Sequence, residues 1–246
     1  MRFSYSAVWN DTAALLKGHG PMLAAVAGVF IFLPLLLTGY LLPTPTSETD
    51  PLGAMTGYYR DNWSWLLLGS IVNAMGAMSI YRLIFAEGRV TVGQAIGGAL
   101  PLLPSYVVLS LLVSIALGTG FVLFILPAIY LLGRLTVAAP IMVTENQRNP
   151  LAAIGESWRG TAGKGWAVAG IILIVALAGA ILSFVALALL GTLLVLVAGR
   201  EGIGALLLLL LNSLVTSALY VVLIVLVAAI YRALRRGAVA EPSTGI

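Results

Sequence analysis

The chain has 246 residues, of which 61% are hydrophobic and only 9% charged, with a formal net charge of +4. That balance excludes an ordinary soluble domain, in which about a quarter of the residues are charged. The absence of cysteine excludes a disulfide framework and a thiolate metal site, and basic residues not clustered with interleaved aromatics argue against a nucleic-acid surface.

In chain order, residues 4–17 come first. They place Val8, Thr12, Leu15 and Leu16 on one helical face and Asn10, Asp11 and Lys17 elsewhere. This predicts a short helix lying in the membrane interface, its apolar face toward lipid. The uncharged run 18–47 holds a first span at about 21–42, with Pro34 inside it as a kink. Its apolar stretch begins late and ends without a small-x-small site, so it does not read as a secretory signal. The 43–62 loop, with three prolines, reads as irregular coil. Tyr58, Tyr59, Trp63 and Trp65 read as interfacial anchors around its end. The uncharged run 62–81 gives a second span at about 63–84.

Between Arg89 and Arg134 lie 44 consecutive uncharged residues. As a helix they cover roughly 66 Å, two crossings of a hydrocarbon core about 30 Å thick. They predict a second interfacial segment at 89–98, a third span at about 99–117, a turn at Gly118-Thr119-Gly120, and a fourth span at about 120–143 kinked at Pro127. A third interfacial segment, 149–162, sets Leu151, Ile154 and Trp158 against Glu156 and Arg159. The fifth span, about 166–190, is rich in Gly170, Ala176, Gly179, Ala180, Ser183 and Ala186, which suits close helix packing. Its uncharged run of 35 residues exceeds one crossing, which predicts tilt or a break near Gly191. The sixth span is about 205–230.

The predicted fold is therefore an all-α membrane protein. It has six transmembrane helices arranged as three hairpins, each preceded by a short interfacial helix on the cytoplasmic side. The whole chain, 1–246, is one integral membrane domain. Six spans put both termini on one side. That side collects eleven of the thirteen basic residues, Arg60 and Arg200 being the other two. The bias of basic residues predicts a multi-pass protein of a bacterial inner membrane with both termini in the cytoplasm.

An internal pattern runs through the three pre-span segments. Glu87, Ala95, Ile96 and Gly97 match Glu145, Ala153, Ile154 and Gly155 at an offset of 58, and Trp9, Thr12 and Ala13 match Trp158, Thr161 and Ala162 at an offset of 149. This suggests repeats over 4–86, 87–143 and 145–235, each an interfacial helix plus a hairpin. Chance matching in a chain so rich in Ala, Gly and Ile is the competing explanation.

The segment 140–166 carries a more specific signal: Pro140, an apolar triplet, Glu145, a turn with Pro150, an Ala/Leu-rich step, Ser157-Trp158, then Thr161 and a glycine approach to the next helix. Together with Phe124–Pro127 upstream, it resembles the membrane-domain family of glycerophosphoryl diester phosphodiesterase and related six-helix bacterial inner-membrane proteins. The resemblance is clear over roughly 120–170. It implies a six-helix membrane fold. The activity in the family's name belongs to members fused to a separate catalytic domain with paired histidines and a carboxylate cluster. This chain has a single histidine, His19, so that activity is not expected of it.

Candidate site residues are few. Arg134 falls nine residues from the inner end of the fourth predicted span, about 13 Å deep. A charge there calls for a partner or a water-filled cavity. Glu145, Glu87 and a lipid phosphate are the candidate partners. The alternatives are an anion or lipid site facing the bundle interior and a structural ion pair, or a span that starts deeper. Asn73 and Asn212 reach similar depth, and Asn212, Thr216 and Tyr220 form an i, i+4, i+8 stripe beside Ser213 and Ser217. Hydrogen bonds between helices are the expected use, a polar pathway the alternative. No catalytic group, metal site or cofactor is expected, because no base stands in a pattern that would activate a hydroxyl. The functional expectation is a non-enzymatic membrane protein that interacts with lipids, organises the bilayer or supports a membrane complex. Its partners would be lipids and a membrane protein, with no nucleic acid. The alternative is a small transporter, or transporter subunit, for a lipid-like substrate.

Overall fold

The computed structural model describes residues 3–42, 49–86, 88 and 90–240, and these form helices joined by short turns. Six helical segments are long and apolar enough to cross a membrane: Tyr5–Leu41, Trp63–Phe85, Val92–Leu123, Ile125–Thr144, Gly165–Ala198 and Ile203–Gly237. The first contains α1 (Tyr5–Ala27), a wide π turn (Gly28–Phe32) and α2 (Leu33–Leu41). Pro34 has no N–H to give, and the turn just before it widens so that the Leu33 N–H reaches the Gly28 carbonyl. The expected kink is thus a π bulge. Asp11 in α1 meets Arg232 and Arg236 near the other end of the chain, so both ends lie on one face, called the terminal face below.

Several expectations are corrected. Residues 4–17 make no separate interfacial helix. They are the start of α1, and Val8, Thr12 and Leu15 are buried in the bundle core instead of facing lipid. The 43–62 loop contains α3 (Pro51–Asp61); residues 43–48 lie outside the described residues. Asp50 caps α3 by accepting the Gly53 N–H at 2.8 Å, and Pro51 sits in its first turn, where the missing N–H costs nothing. α4 (Trp63–Phe85) follows and is tied to α2 by Trp65 Nε1 donating to Thr38 Oγ1 at 3.1 Å.

α5 (Val92–Ala99) starts with a capping box made by Thr91 and Gln94, then passes through a 3₁₀ turn into α6 (Leu103–Leu123). Gly118, Thr119 and Gly120 are all helical. The chain reverses at Phe124 instead, the one extended residue between α6 and α7 (Ile125–Leu135). Gly120 lets the two helices touch, since a Cβ there would come within 2.9 Å of the Ala128 backbone. Pro127 falls in the first turn of α7 and begins that helix without kinking it.

The fourth span bends after Leu135 and resumes as α8 (Ala138–Thr144). α9 (Pro150–Gly160) precedes α10 (Gly165–Ala198), which runs unbroken through Gly191, contrary to the expected break. α11 (Ile203–Ala240) packs along α10, with Leu219 against Gly179 and Leu208 against Gly191. The buried core gathers near the terminal face. It takes in the second half of α4 from Met75, α8, the start of α10 and α11 from Val221. Near the opposite face few described residues are buried, and large apolar side chains such as Val122, Phe124 and Val197 are exposed. For helices surrounded by lipid this carries no hydrophobic penalty.

Candidate functional site: a buried arginine at the helix break

The bend after Leu135 leaves the carbonyl end of α7 short of helical partners. The Arg134 carbonyl is taken up by the next segment: Ser157 Oγ donates to it at 2.7 Å, and Thr161 Oγ1, whose shorter bond at 2.7 Å goes to the Ser157 carbonyl, lies 3.3 Å away as a second donor within reach. Both side chains are fully buried. They sit one turn apart at the end of α9, which Asn149 starts by accepting the Leu151 and Ala152 N–H groups, with Pro150 in its first turn. The sequence motif around Ser157 and Thr161 is thus a clamp on one carbonyl.

Trp158, between them, turns the other way and lies under the Arg134 guanidinium, 4.3 Å from carbon to ring centre. Tyr130, one turn before Arg134 on α7, stands edge-on to Trp158, and its ring centre is 5.8 Å from the same carbon. Trp166 on α10 packs against Tyr130 at 5.5 Å. Trp158 and Trp166 are themselves about half exposed. Arg134 is 5% exposed. Its Nε is enclosed and bonds to nothing, and among the described residues no carboxylate lies within ion-pair distance of it.

Gly133 and Gly165 make this site possible. A Cβ on Gly133 would run into the Gly165 carbonyl oxygen, and one on Gly165 would come within 2.7 Å of Arg134 Cδ. Arg134 therefore abuts the first turn of α10. Glu145, eleven positions later, reaches Arg235 near the end of α11, where Lys164 also lies against Gly237. A straight helix would separate positions 134 and 145 by roughly 16 Å along its axis. Arg134 instead sits where α10 starts and Glu145 where α11 ends. Arg134 belongs to the last turn of α7, beside the start of α10, where the helix dipole favours a cation.

The expected partnership of Arg134 with Glu145 is also corrected. Glu145 joins Arg235, with Tyr231 Oη at 3.4 Å from its carboxylate, and Thr144 Oγ1 lies 3.0 Å from that phenol. Arg235 Nε donates to the same phenol at 3.0 Å. Asn146, held at a left-handed φ of 52°, ends α8 and accepts from Arg82 Nη2 at 3.2 Å. Asp11 accepts from Arg232 at 3.4 Å. Glu87 lies outside the described residues. Pro140 falls in the first turn of α8, and Pro150 opens α9.

Asn73 and Asn212 do not bond to each other. The Asn73 amide oxygen is enclosed without a partner, and Asn212, Thr216 and Tyr220 are exposed, while Ser213 and Ser217 are the buried members of that helix. The expected interhelical hydrogen bonds of the two amides are therefore not made. His19 Nδ1 lies 3.2 Å from the Leu15 carbonyl. Among the described residues no three of His, Cys, Asp and Glu gather as a metal site would require. Reading the sequence missed Tyr130 and Trp166 as neighbours of Arg134, and Arg235 as the partner of Glu145. Tyr130 had a usable signal in its i, i+4 spacing from Arg134. The others are joined only by the packing of separate helices.

No curated protein and no solved structure matches the chain. A family model does, described as the membrane domain of glycerophosphoryl diester phosphodiesterase, over residues 102–243. That region spans more than half of the chain and contains the bend at Arg134, the Ser157–Thr161 clamp and the fourth to sixth spans. The chain belongs to the family of the membrane domain of glycerophosphoryl diester phosphodiesterase.

Proposed function

We propose that the chain is a non-catalytic integral membrane protein that holds lipid against its bundle and so organises the bilayer, or a complex, around it. The observation that carries this reading is a groove of about 830 Å³ between α10, α11 and the start of α1. Its walls are Ile174, Gly179, Leu182, Ala186 and Leu219, closed at one end by Tyr5 and Trp9. Its volume lies in the range of roughly 300–1,000 Å³ that suits one bound small molecule. It opens sideways from membrane-spanning helices, so the molecule at hand to fill it is a lipid chain. The non-catalytic reading is supported by four of the buried hydroxyls: those of Thr12, Ser79, Ser157 and Thr161 donate to backbone carbonyls. The basic bias of the terminal face supports a cytoplasmic location for it.

The test is native mass spectrometry of the protein extracted with its surrounding membrane in polymer nanodiscs. Wild type should carry tightly retained lipid, and Ala178→Trp, which fills the groove from an exposed position, should lose it while remaining folded. An unchanged lipid set in that variant would sink the groove as a lipid seat. A protein that co-purifies at fixed stoichiometry would turn the reading toward a complex subunit.

A second reading has one observation in its favour. The enclosed, unpartnered Asn73 amide and the exposed Asn212–Thr216–Tyr220 stripe leave polar groups unsatisfied on membrane-spanning helices, as a pathway for a lipid-like substrate would. Reconstituted protein should then move a fluorescent phospholipid between leaflets, and Asn73→Leu should slow it. No transfer above empty liposomes rejects this reading.

A further inference from the structure

We propose that Arg134 binds the phosphate of a phospholipid head group from the monolayer at the terminal face. This rests on the lipid reading above and names the lipid chemistry at a second place, on the far side of α10 from the groove. An arginine cannot shed its proton to escape burial. Leaving a buried cation uncompensated is costly, so a counter-charge is required. Among the described residues none is supplied: Glu145 is held by Arg235 and Asp11 by Arg232, and no other described carboxylate lies within ion-pair reach of Arg134.

The aromatic neighbours are an incomplete answer. Trp158 and Tyr130 offer ring faces, each worth about 0.5–2 kcal/mol to a nearby cation. A ring face leaves the five N–H donors of the guanidinium without acceptors. Nε is enclosed, and the two terminal nitrogens, at the tip of the side chain, also bond to no described residue, so they are the ones an incoming group would meet. A planar fork with free terminal nitrogens matches a phosphate through two parallel hydrogen bonds.

The location selects a lipid phosphate. Arg134 lies at the level where α10 begins, beside two half-exposed tryptophans, and tryptophan favours the boundary between head groups and chains. Arg159 and Lys164, on the same short segment, add positive charge that attracts anionic lipids. The clamp from Ser157 and Thr161 then has a purpose beyond ending a helix. It fixes the backbone of Arg134 so that its side chain is held over Trp158 before any lipid arrives.

The experiment uses the whole protein in nanodiscs of phosphatidylcholine with a minority of phosphatidylglycerol, read by native mass spectrometry. It compares wild type, Arg134→Gln, Arg134→Lys and, as a control at the opposite face, Arg60→Gln. Wild type and Arg60→Gln should retain one phosphatidylglycerol. Arg134→Gln should lower its occupancy roughly tenfold or more, the size expected for removing a charge-assisted contact. Arg134→Lys, which keeps the charge and loses the fork, should fall between them. Added inorganic phosphate should not displace the lipid.

Equal retention in wild type and both Arg134 variants overturns the proposal and leaves the lipid reading standing. Lipid absent from every sample, wild type included, overturns both. Phosphate bound by wild type, lost in Arg134→Gln and indifferent to lipid, assigns the site to a free anion and overturns the head-group source. If Arg134→Gln does not fold, Arg134→Lys decides: retention equal to wild type overturns the proposal.

Discussion

At the residue scale, one carbonyl organises the segment around Ser157 and Thr161. Ser157 and Thr161 are buried because the oxygen they serve is buried, and an unsatisfied buried acceptor costs about 1–3 kcal/mol. Ser157→Ala should therefore destabilise the protein by about 1–2 kcal/mol, because Thr161 still reaches the oxygen. Ser157→Ala with Thr161→Val should cost more than the sum of the two single changes. Thermal unfolding in detergent checks this, and simple additivity would contradict the shared carbonyl. Trp158→Ala belongs to a different class. It removes a ring from beneath a cation, so the loss should appear mainly in lipid retention. These roles were half legible in the sequence. The spacing of Ser157 and Thr161 puts both on one helical face, but nothing in it names an oxygen 23 positions earlier.

At the element scale, the decisive event is the bend after Leu135. A continuous fourth helix would have buried Arg134 deep in the bilayer, where a charge costs at least ~2.5 kcal/mol. The break puts Arg134 in the last turn of α7, beside the first turn of α10. The α7–α10 contact depends on the glycine pair at 133 and 165. Gly133→Ala should destabilise by roughly 1–3 kcal/mol, since the new methyl meets backbone rather than a movable side chain. Gly155→Ala, in mid-α9 with nothing near its added Cβ, should be neutral or stabilising by up to ~1 kcal/mol. Equal effects at the two positions would contradict the close approach of α7 and α10. Matched segments also behave alike: Thr12 and Thr161 are both buried, each within hydrogen-bond reach of the carbonyl four residues back, while Trp9 and Trp158 both turn outward.

At the scale of the whole molecule, the core is concentrated near the terminal face and both chain ends meet there through Asp11, Arg232 and Arg236. The ion pairs are partly exposed, so Asp11→Asn should cost no more than about 1 kcal/mol, and less at high salt. Because the chain has no cysteine, single substitutions report sidedness cleanly. Leu52→Cys and Arg236→Cys should be labelled by an impermeant maleimide from opposite sides of sealed vesicles, with Arg236→Cys reached from the cytoplasmic side. Labelling of both from one side would overturn the even number of crossings.

The sequence by itself determined that the chain spans a membrane six times. Hydropathy over some twenty residues is a local property, and in hydrocarbon only a helix satisfies its own backbone. It also carried the family resemblance and half of the span ends to within two residues, the others differing by five or more. The Asp50–Pro51 start of α3 was legible too, had the capping residue been weighed above the nearby prolines. Only the tertiary structure decided that the fourth span breaks at Leu135, that residues 4–17 enter the core, and that Glu145 pairs with Arg235 while Arg134 faces aromatic rings. Those outcomes depend on which helix ends lie side by side. In a chain whose spans are all comparably apolar, hydrophobicity cannot rank one helix neighbour above another, so close glycine contacts and a few polar side chains make the choice.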